Sequence, residues 1–364
     1  MSLNESSHLA VEVKPIKDVR RGETMSGVEA VTIETQVETL VRLTTSNTSP
    51  ADRWDHVLAR LGYRRNEHRV EPGIYALGTP GPDSPVFVTS NYTLSFDALR
   101  SSLAGIDGYI LVLDTQGINV WCAAGKGTFG TDELVNRIDV TGLRQVVRHR
   151  VLIVPQLGAP GIAAHEVKKR SGFKVEYGPV RASDLPGYLR NRKATPEMRQ
   201  VGFGLADRIV LIPVEAVAAL PVLIVATILA FVFGGLLVAG AAASAILAGI
   251  SLFAVVLPWL PTRDFSTKGF ILGFAVALPF AMAALLSGQS AWGWARVLQA
   301  ASLLLALPPI TAFLALNFTG STTFTSRSGV KREIFRYIPF MAATFSLGIL
   351  VTIATASVKI WGGA

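Results

Sequence analysis

The single cysteine of this 364-residue chain, Cys122, lies in a short stretch of small and polar residues. The stretch spans residues 119–126, reads NVWCAAGK and follows a hydrophobic run that ends at Leu113. A thiolate suits a soft, polarizable metal, and the small side chains of Ala123 and Ala124 leave room for a flat macrocycle. The residue types therefore indicate three candidate roles for Cys122: a metal ligand, a nucleophile, or a buried inert thiol.

Two phosphate-binding motifs fail in this stretch. Gly125, Gly127 and Gly130 match the GxGxxG spacing, but residues 154–156 read VPQ where a dinucleotide site needs an acidic residue. A P-loop requires its first glycine at the position of Val120. The glycines therefore do not predict a nucleotide site.

The histidines and the cysteine count narrow the metal chemistry. A nucleophilic cysteine needs a base or a helix N-terminus beside it, and only folding can bring His149 or His165 close to Cys122. One cysteine excludes an internal disulfide, a zinc knuckle and a Cys-ligated iron–sulfur cluster. Asp55 and His56 are adjacent, so they do not form the Asp-x-His pair of the common cobalamin signature. Histidine ligation of a corrinoid from below is therefore disfavoured.

Short strands and helices alternate between residues 51 and 190, which predicts an α/β domain with a largely parallel sheet. Ligands of such sheets bind at the carboxyl ends of the strands. Thr131 and Ser183 are the predicted N-caps of two helices. The predicted strands are 73–77, 86–89, 109–113, 151–154 and 173–177. The predicted helices are 54–61, 93–104, 131–138, 161–171 and 183–190.

The two ends of the chain differ from this domain. Residues 1–50 are polar, lack an apolar period and predict a disordered lead-in without a secretory signal. Residues 191–208 predict a linker, and residues 209–364 a membrane domain. Its five predicted spans are 209–231, 236–258, 269–287, 293–316 and 338–358.

The net charge of +8 is distributed in a way that favours a membrane protein. Basic residues flank the apolar segments, which predicts a multi-pass protein of the cytoplasmic membrane with residues 51–190 cytoplasmic and the C-terminus outside. The lysines and arginines are not striped with aromatic residues, so nucleic-acid binding is not expected. Glu215 is the one acidic residue inside a predicted span, and we expect it to lie near the interface.

Residues 119–126 resemble, letter for letter, the cap-helix signature of the HgcA family, the corrinoid proteins of microbial mercury methylation. Residues 181–185 (RASDL) and 317–330 (NFTGSTTFTSRSGV) resemble other recurrent stretches of that family. The soluble half also resembles the corrinoid iron–sulfur protein of the acetyl-CoA pathway, which has cluster-binding cysteines and no membrane helices. The resemblance implies a Rossmann-like corrinoid-binding domain followed by an all-α transmembrane domain of five helices.

The resemblance also implies an activity. A methyl group from methyltetrahydrofolate, delivered directly or by a methyltransferase, would pass through cobalt to Hg(II) and form methylmercury, with the Cys122 thiolate as the lower cobalt ligand. A ferredoxin-like iron–sulfur protein, HgcB, would be the reductant. Two alternatives stay open: a corrinoid methyl carrier of C1 or acetyl-CoA metabolism with another acceptor, and a membrane transporter or sensor without enzyme activity.

The expected corrinoid contacts lie in the motif and where loops leave the sheet. Hydroxyl groups and backbone amides there suit the amide groups and phosphate of a corrinoid. Cys122 is the expected catalytic residue and cobalt ligand. The expected cofactor-binding residues are Thr89, Asn91, Thr93, Ser95, Asn119, Val120, Trp121, Cys122, Ala123, Ala124, Gly125, Lys126, Pro155, Gln156 and Ala182.

Overall fold

The first part of the chain folds around a six-stranded sheet. The computed structural model describes residues 41–64, 67–286, 293–322 and 327–361. The strands lie in the order β1-β2-β4-β3-β5-β6, and all neighbours are parallel except β2 and β4, which are antiparallel. The strands are β1 (Val41–Thr44), β2 (Gly73–Leu77), β3 (Val86–Ser90), β4 (Gly108–Leu113), β5 (Val151–Val154) and β6 (Lys174–Tyr177).

The strands form where apolar residues are β-branched or aromatic and both sheet faces are covered. Every residue of β2, β3 and β4 is buried. One core cluster includes Leu111 and Phe129. A second cluster, which includes Phe87 and Ile110, is formed by the side chains on the opposite face of the same strands. Helices therefore cover both faces, as in a doubly wound sheet.

The described residues of this part contain seven helices, and the residues that precede two of them are not the predicted N-caps. Gly130 rather than Thr131 precedes α4, and Asp184 rather than Ser183 precedes α7, because a short 3-10 turn occupies Ala182–Asp184. The helices are α1 (Pro50–Arg60), α2 (Thr93–Ser102), α3 (Val120–Lys126), α4 (Thr131–Val140), α5 (Leu143–Val146), α6 (Ala164–Ser171) and α7 (Leu185–Asn191).

Strand β1 corrects the predicted extent of the N-terminal lead-in. Residues 1–40 lie outside the described residues, but Val41–Thr44 pairs in parallel with β2, and α1 begins at Pro50. The sheet is largely parallel, as predicted, and its one antiparallel pairing is that of β2 with β4. The tetrapeptide VRLT is too short and too mixed in polarity to be recognised from its sequence, since its pairing with β2 and not its own pattern makes it a strand.

The remainder of the described chain is helical. Four helical segments are long and apolar enough to cross a membrane: Leu205–Val256, Phe265–Leu286, Gly293–Asn317 and Ser328–Ser357. The helices are α8 (Leu205–Ile209), α9 (Ile212–Leu247), α10 (Phe253–Val256), α11 (Phe265–Leu286), α12 (Gly293–Asn317) and α13 (Arg327–Trp361). Part of the predicted third span and part of the segment 317–330 fall on residues 287–292 and 323–326, outside the described residues.

Helix α9 folds back on itself at Gly235, where the backbone has a left-handed φ of 74°. The residues that flank the two arms meet. The buried Arg208 guanidinium, before the first arm, donates hydrogen bonds of 3.0 and 2.5 Å to the carbonyls of Ala254 and Val255, which follow the second arm. The segment Leu205–Val256 is therefore a helical hairpin, which explains why the sequence pattern contains one more apolar run than there are long helical segments.

Helices α11 and α12 pack closely because glycines on α11 face small residues on α12. A Cβ atom on Gly269 would lie 2.5 Å from the Cα of Ala312, and one on Gly273 would lie 2.6 Å from the Cα of Pro308. Close backbone approach through small residues is the usual way in which membrane helices associate. We conclude that α11 and α12 form the tightest contact of the helical part.

A buried histidine ties the loop after α1 to that helix, and its protonation predicts a pH dependence. His68 Nδ1 lies 2.7 Å from the Asp55 carboxylate, and Nε2 lies 2.6 Å from the Tyr63 carbonyl. Burial lowers the pKa of His68, but the hydrogen bonds to Tyr63 and Asp55 outweigh it, so the net pKa is raised. The charged ring therefore stabilises the fold below the unfolded-state pKa of about 6.5, and this stabilisation is lost as the pH rises through the folded-state pKa.

We expect the thermal stability of the full chain in detergent to fall as the pH is raised through this window. His68→Gln cannot titrate, so its melting temperature will follow a flatter pH profile than that of the wild type. Thermal denaturation at a series of pH values from roughly 6 to 9 measures both. Parallel profiles for the two proteins would show that His68 does not carry the charge.

Candidate functional site

A cavity opens at the carboxyl edge of the parallel strands. The loop after β3 leads towards β4 on one side, and the loop after β5 leads towards β6 on the other, so β3 and β5 form the switch point at which ligands of such sheets bind. The cavity has a volume of about 320 Å³. It is lined by Phe87, Val88, Thr89, Ser95, Ala98, Leu99, Asn119, Val120, Trp121, Ile153, Pro155, Leu157, Gly178, Pro179, Val180, Ala182 and Leu185.

The loop between β4 and α3 is held by Asn91, which is 1% exposed. Its Oδ1 accepts hydrogen bonds of 3.0, 2.9 and 3.0 Å from the backbone N–H and hydroxyl of Thr115 and from the N–H of Gly117. Its amide donates to the Asp114 carboxylate at 3.1 Å. One side chain at the end of β3 therefore fixes the turn that delivers α3 to the cavity.

Helix α3 begins at the cavity and carries Cys122 in its first turn. The Asn119 side chain accepts a hydrogen bond from the Cys122 N–H at 2.9 Å, which is an N-cap interaction. Asn119, Val120 and Trp121 line the cavity, whereas Cys122 lies next to them and is half-buried. Trp121 is 37% exposed, so the rim of the cavity beside the half-buried Cys122 is open to solvent.

The other side of α3 is fixed by the turn after β5. Ala123 and Ala124 are buried, and a Cβ atom on Gly161 would lie 3.0 Å from the Cα of Ala124 and against the carbonyl oxygen of Phe129. The Gly161 carbonyl in turn accepts a hydrogen bond of 3.2 Å from the N–H of Thr131. The position of α3, which carries Cys122, therefore depends on a close backbone contact at Gly161 that leaves no room for a Cβ atom.

Replacing Gly161 with alanine will displace α3. Two backbone segments cannot yield to an added methyl group, so we expect a loss of stability of about 1–3 kcal/mol and faster alkylation of the Cys122 thiol. The labelling is unambiguous because the chain has one cysteine. Iodoacetamide labelling of the full chain in detergent, with melting temperatures, measures both effects.

Gly81→Ala is the matched control, because a Cβ atom on Gly81 would have no neighbour within 4 Å. It should label and melt like the wild type. The proposed contact is refuted if Gly161→Ala also labels at the wild-type rate with an unchanged melting temperature.

The structure brings seven of the predicted cofactor residues together in the cavity wall: Thr89, Ser95, Asn119, Val120, Trp121, Pro155 and Ala182. The others do not line it. Asn91 holds the loop before α3, and Gln156 accepts a hydrogen bond of 3.0 Å from Arg199. Gly125 and Lys126 are exposed at the far end of α3. The predicted residues therefore include lining residues, Asn91, which positions α3, and residues such as Gly125 and Lys126 that do neither.

The sequence did not reveal most of the apolar wall. Phe87, Ile153 and Leu185 line the cavity but belong to the second core cluster, so their residue types indicate only burial. Gly178 and Pro179 line it because they directly follow β6. The signal that would have identified them is their position at strand ends, not their chemistry.

The predicted linker is attached to the cavity wall. The Arg199 guanidinium reaches Gln156, and the Val180 N–H donates to the Met198 carbonyl at 2.8 Å. Arg181 forms an ion pair of 2.7 Å with Asp207 on α8, which raises the pKa of the Arg181 guanidinium. The wall of the cavity is thus bonded to the segment that leads into the first long apolar helix.

The cavity fits part of a corrinoid, not the whole of one. Small-molecule sites usually exceed about 300 Å³, so 320 Å³ accepts an appended base or nucleotide but not a macrocycle as well. The hydroxyls of Ser90 and Thr93 are buried near the end of β3 without a hydrogen-bond partner in the described structure. Neither residue lines the cavity, so these hydroxyls carry no evidence for a ligand in it. The described residues contain no cluster of three metal-binding side chains, and Cys122 offers a single soft ligand at the rim.

Comparison with known proteins relates this part of the chain to the acetyl-CoA pathway. Residues 60–189 match the family of the CO dehydrogenase/acetyl-CoA synthase delta subunit. The acetyl-CoA decarbonylase/synthase complex subunit gamma of Archaeoglobus fulgidus is 36% identical over 127 residues, which are 34% of this chain and 27% of the relative. The same subunit of Methanopyrus kandleri is 35% identical over 127 residues, with the same coverage.

The corrinoid/iron-sulfur protein large subunit of Moorella thermoacetica is 28% identical over 180 residues, 46% of this chain and 38% of the relative. These matches support a relationship to the corrinoid proteins of the acetyl-CoA pathway. The chain spans only about a quarter to two fifths of the relatives' lengths. The family match ends at residue 189, before the apolar helices.

Proposed function

We propose that the chain is a membrane-bound corrinoid protein that carries a methyl group, with the Cys122 thiolate as the lower ligand of cobalt. The observation that carries the proposal is the position of the only cysteine. It lies half-buried on the first turn of α3, at the rim of a switch-point cavity, in a segment that resembles corrinoid proteins. A transporter or sensor without enzyme activity would need no such thiol.

When bound, the corrinoid supplies a cobalt centre that accepts a methyl group and passes it on. The protein supplies the ligand and its position. Cys122 would hold the cobalt through its thiolate, a soft and electron-rich donor. Asn119 and Asn91 fix the start of α3 and the loop before it, and Thr89 and Ser95 offer hydroxyls to the appended group in the cavity. Ala123 and Ala124 anchor α3 in the core rather than making room for a macrocycle.

The relatives favour an acceptor in C1 or acetyl-CoA metabolism, because their names place them in that pathway. A second candidate acceptor is Hg(II), favoured by the octapeptide at residues 119–126 and its resemblance to mercury-methylating corrinoid proteins. Hg(II) is thiophilic, and the thiol is accessible at the rim. The two candidates share the cofactor, the ligand and the carrier role, and differ only in the final step.

Both candidates require the same partners. The chain has one cysteine and cannot hold a Cys-ligated cluster, so electrons that restore the reduced cobalt come from a ferredoxin-like iron–sulfur protein, HgcB in the mercury system. Methyltetrahydrofolate, directly or through a methyltransferase, is the proposed methyl donor. We place the corrinoid-binding domain at residues 41–190 and the attached connecting segment at 191–208.

The α9 hairpin and the three later helices make five passes through the cytoplasmic membrane in this proposal. Hydrogen bonds support one common side for the basic regions: Arg208 reaches Ala254, and Tyr337 donates to Asp264 at 2.9 Å. Basic residues stay on the cytoplasmic side of bacterial membranes. The corrinoid domain is therefore proposed to be cytoplasmic, with the C-terminus outside.

Anaerobic reconstitution tests the acceptor. The full chain is loaded with corrinoid, reduced, methylated with labelled methyltetrahydrofolate and its methyltransferase, and then exposed to Hg(II). Loss of the cobalt-bound label with formation of labelled methylmercury supports Hg(II) as acceptor. Retention of the label with Hg(II), together with transfer to an acetyl-CoA synthase, supports the C1 acceptor. A chain that binds no corrinoid refutes both.

A further inference from the structure

Helix α1 presents one face to solvent. Arg53, Val57 and Arg60 are exposed and lie three and four residues apart, which is the spacing of a single helix face. Trp54 extends this face and is 64% exposed. The opposite face of α1 packs on α2, where the His56 ring lies 2.7 Å from a buried carboxylate. The open face of α1 therefore combines large apolar side chains with basic ones.

The charges of α1 are sorted between its two faces. Asp52 forms an ion pair of 2.7 Å with an arginine of α2, and Asp55 lies 2.7 Å from the His68 ring. Each acidic side chain of the helix thus has a partner inside the protein. Arg53 and Arg60, in contrast, have no ion-pair partner among the residues that the structure describes. The open face is therefore positively charged and complements an anionic surface.

The C-terminal end of α1 meets the first long apolar helix. A Cβ atom on Gly62 would lie 3.0 Å from Cγ2 of Val214, which belongs to the first turn of α9. The next residue, Tyr63, is exposed, and so are the apolar side chains of Leu205 and Ile209 on α8. Tryptophan and tyrosine concentrate where hydrocarbon meets the headgroups of a bilayer. Helix α1 therefore ends at the point where the proposed first pass enters the membrane.

We propose that the open face of α1 lies on the cytoplasmic leaflet and binds anionic phospholipids. Trp54 and Val57 enter the boundary between headgroups and hydrocarbon, and Arg53 and Arg60 bind the phosphate groups. Helix α2, which carries part of the cavity wall, packs on the opposite face of α1, so this contact orients the cavity relative to the membrane. The proposal rests on the proposed membrane location of the long helices and is independent of cobalt, so its test uses the chain without corrinoid.

The depth of a nitroxide label on α1 tests the proposal, in nanodiscs that hold one chain each so that a second copy cannot cover the helix. Val57→Cys is labelled in a Cys122→Ser background, which leaves one thiol in the chain. Val140→Cys is the matched control, because Val140 is an exposed valine at the end of α4, where Asp139 and Arg144 pair with each other at 3.2 Å. Collisions of each label with oxygen, which concentrates in hydrocarbon, and with a water-soluble nickel chelate measure its depth.

In nanodiscs that contain phosphatidylglycerol, the label on α1 should collide mainly with oxygen and the label on α4 mainly with the nickel chelate. Replacing Arg53 and Arg60 together with alanine should lower the ratio of docked to free label on α1 at least about tenfold, since each basic residue at an anionic leaflet contributes about fivefold. Pure phosphatidylcholine should also release the label of the unsubstituted face. Both arginines are exposed, so the melting temperature in detergent should stay unchanged.

Equal access of the nickel chelate to the two labels in phosphatidylglycerol overturns the proposal. So does protection of the label on α1 that persists in phosphatidylcholine or after both arginines are replaced, because the headgroup charge would then not be recognised. A chain that stays in solution without detergent or lipid overturns the membrane location of the long helices and this proposal together.

Discussion

We expect Cys122→Ala to remove the proposed sulfur ligand of cobalt and to slow the proposed methyl transfer at least about 100-fold. Loss of a residue that supports a metal ligand already costs about 10- to 100-fold, and Cys122 is proposed as the ligand itself. The stability should change by less than about 1 kcal/mol, because the side chain is half-buried and forms no hydrogen bond that α3 needs. The cap of α3 comes from the Asn119 side chain to the Cys122 backbone, which alanine keeps.

Turnover and the visible spectrum of the reconstituted protein measure this effect. Cys122→Ser is the companion variant, since it keeps the approximate size of the side chain but replaces the soft donor by a hard one. Both variants should still fold and bind the appended group of the corrinoid in the cavity. Wild-type rates and an unchanged spectrum in either variant would show that Cys122 is not the ligand.

Replacing Asn91 with leucine will cost about 3–5 kcal/mol of stability and weaken corrinoid binding at least about tenfold. The substitution leaves the buried N–H groups of Thr115 and Gly117 without an acceptor, and each such group costs about 1–3 kcal/mol, whereas the Thr115 hydroxyl keeps the Ile118 carbonyl at 2.6 Å. The loop before α3 then loses its anchor, so Asn119 and Cys122 no longer keep their place at the cavity. Melting temperature and equilibrium binding of corrinoid measure the two parts of the effect.

Asn91→Asp separates the acceptor from the donor. It keeps an oxygen for the three donors but loses the amide that donates to Asp114 and places a second carboxylate beside it. Because the oxygen remains, the loss of stability should be smaller than that of Asn91→Leu. Two neighbouring carboxylates disfavour joint ionisation, so the loss should diminish as the pH is lowered. Equal losses in the two variants at every pH would refute the role of Asn91 as a hydrogen-bond clamp.

The sequence predicted five of the six strands; β2, β3 and β4 are buried on both faces, and such burial leaves a continuous apolar run. It did not predict β1 or the antiparallel pairing of β2, since partners distant in sequence determine both. The hairpin in α9 depends on one glycine inside an apolar run, and its evidence is the distant contact of Arg208 with Ala254.

In the candidate site, residue types in the sequence likewise indicated the chemistry but not the position of each side chain. Cys122 stood out in the sequence because a lone cysteine beside small residues is unusual, whereas nothing in the sequence indicated that Asn91, a predicted cofactor contact, holds the loop before α3. Gly161 carried no signal at all, because its role depends on a contact with Ala124 that only the folded chain creates. Residue type indicates the chemistry, and tertiary contacts decide which residues perform it and which position them.

X-ray absorption at the cobalt edge tests directly whether the Cys122 sulfur binds cobalt. The full chain and Cys122→Ala are loaded anaerobically with the same corrinoid, and the atoms around cobalt are identified from the fine structure. We expect one sulfur neighbour of cobalt in the wild type and none in the variant. A wild-type cobalt surrounded only by nitrogen and oxygen, or a sulfur neighbour that persists after the substitution, would contradict it.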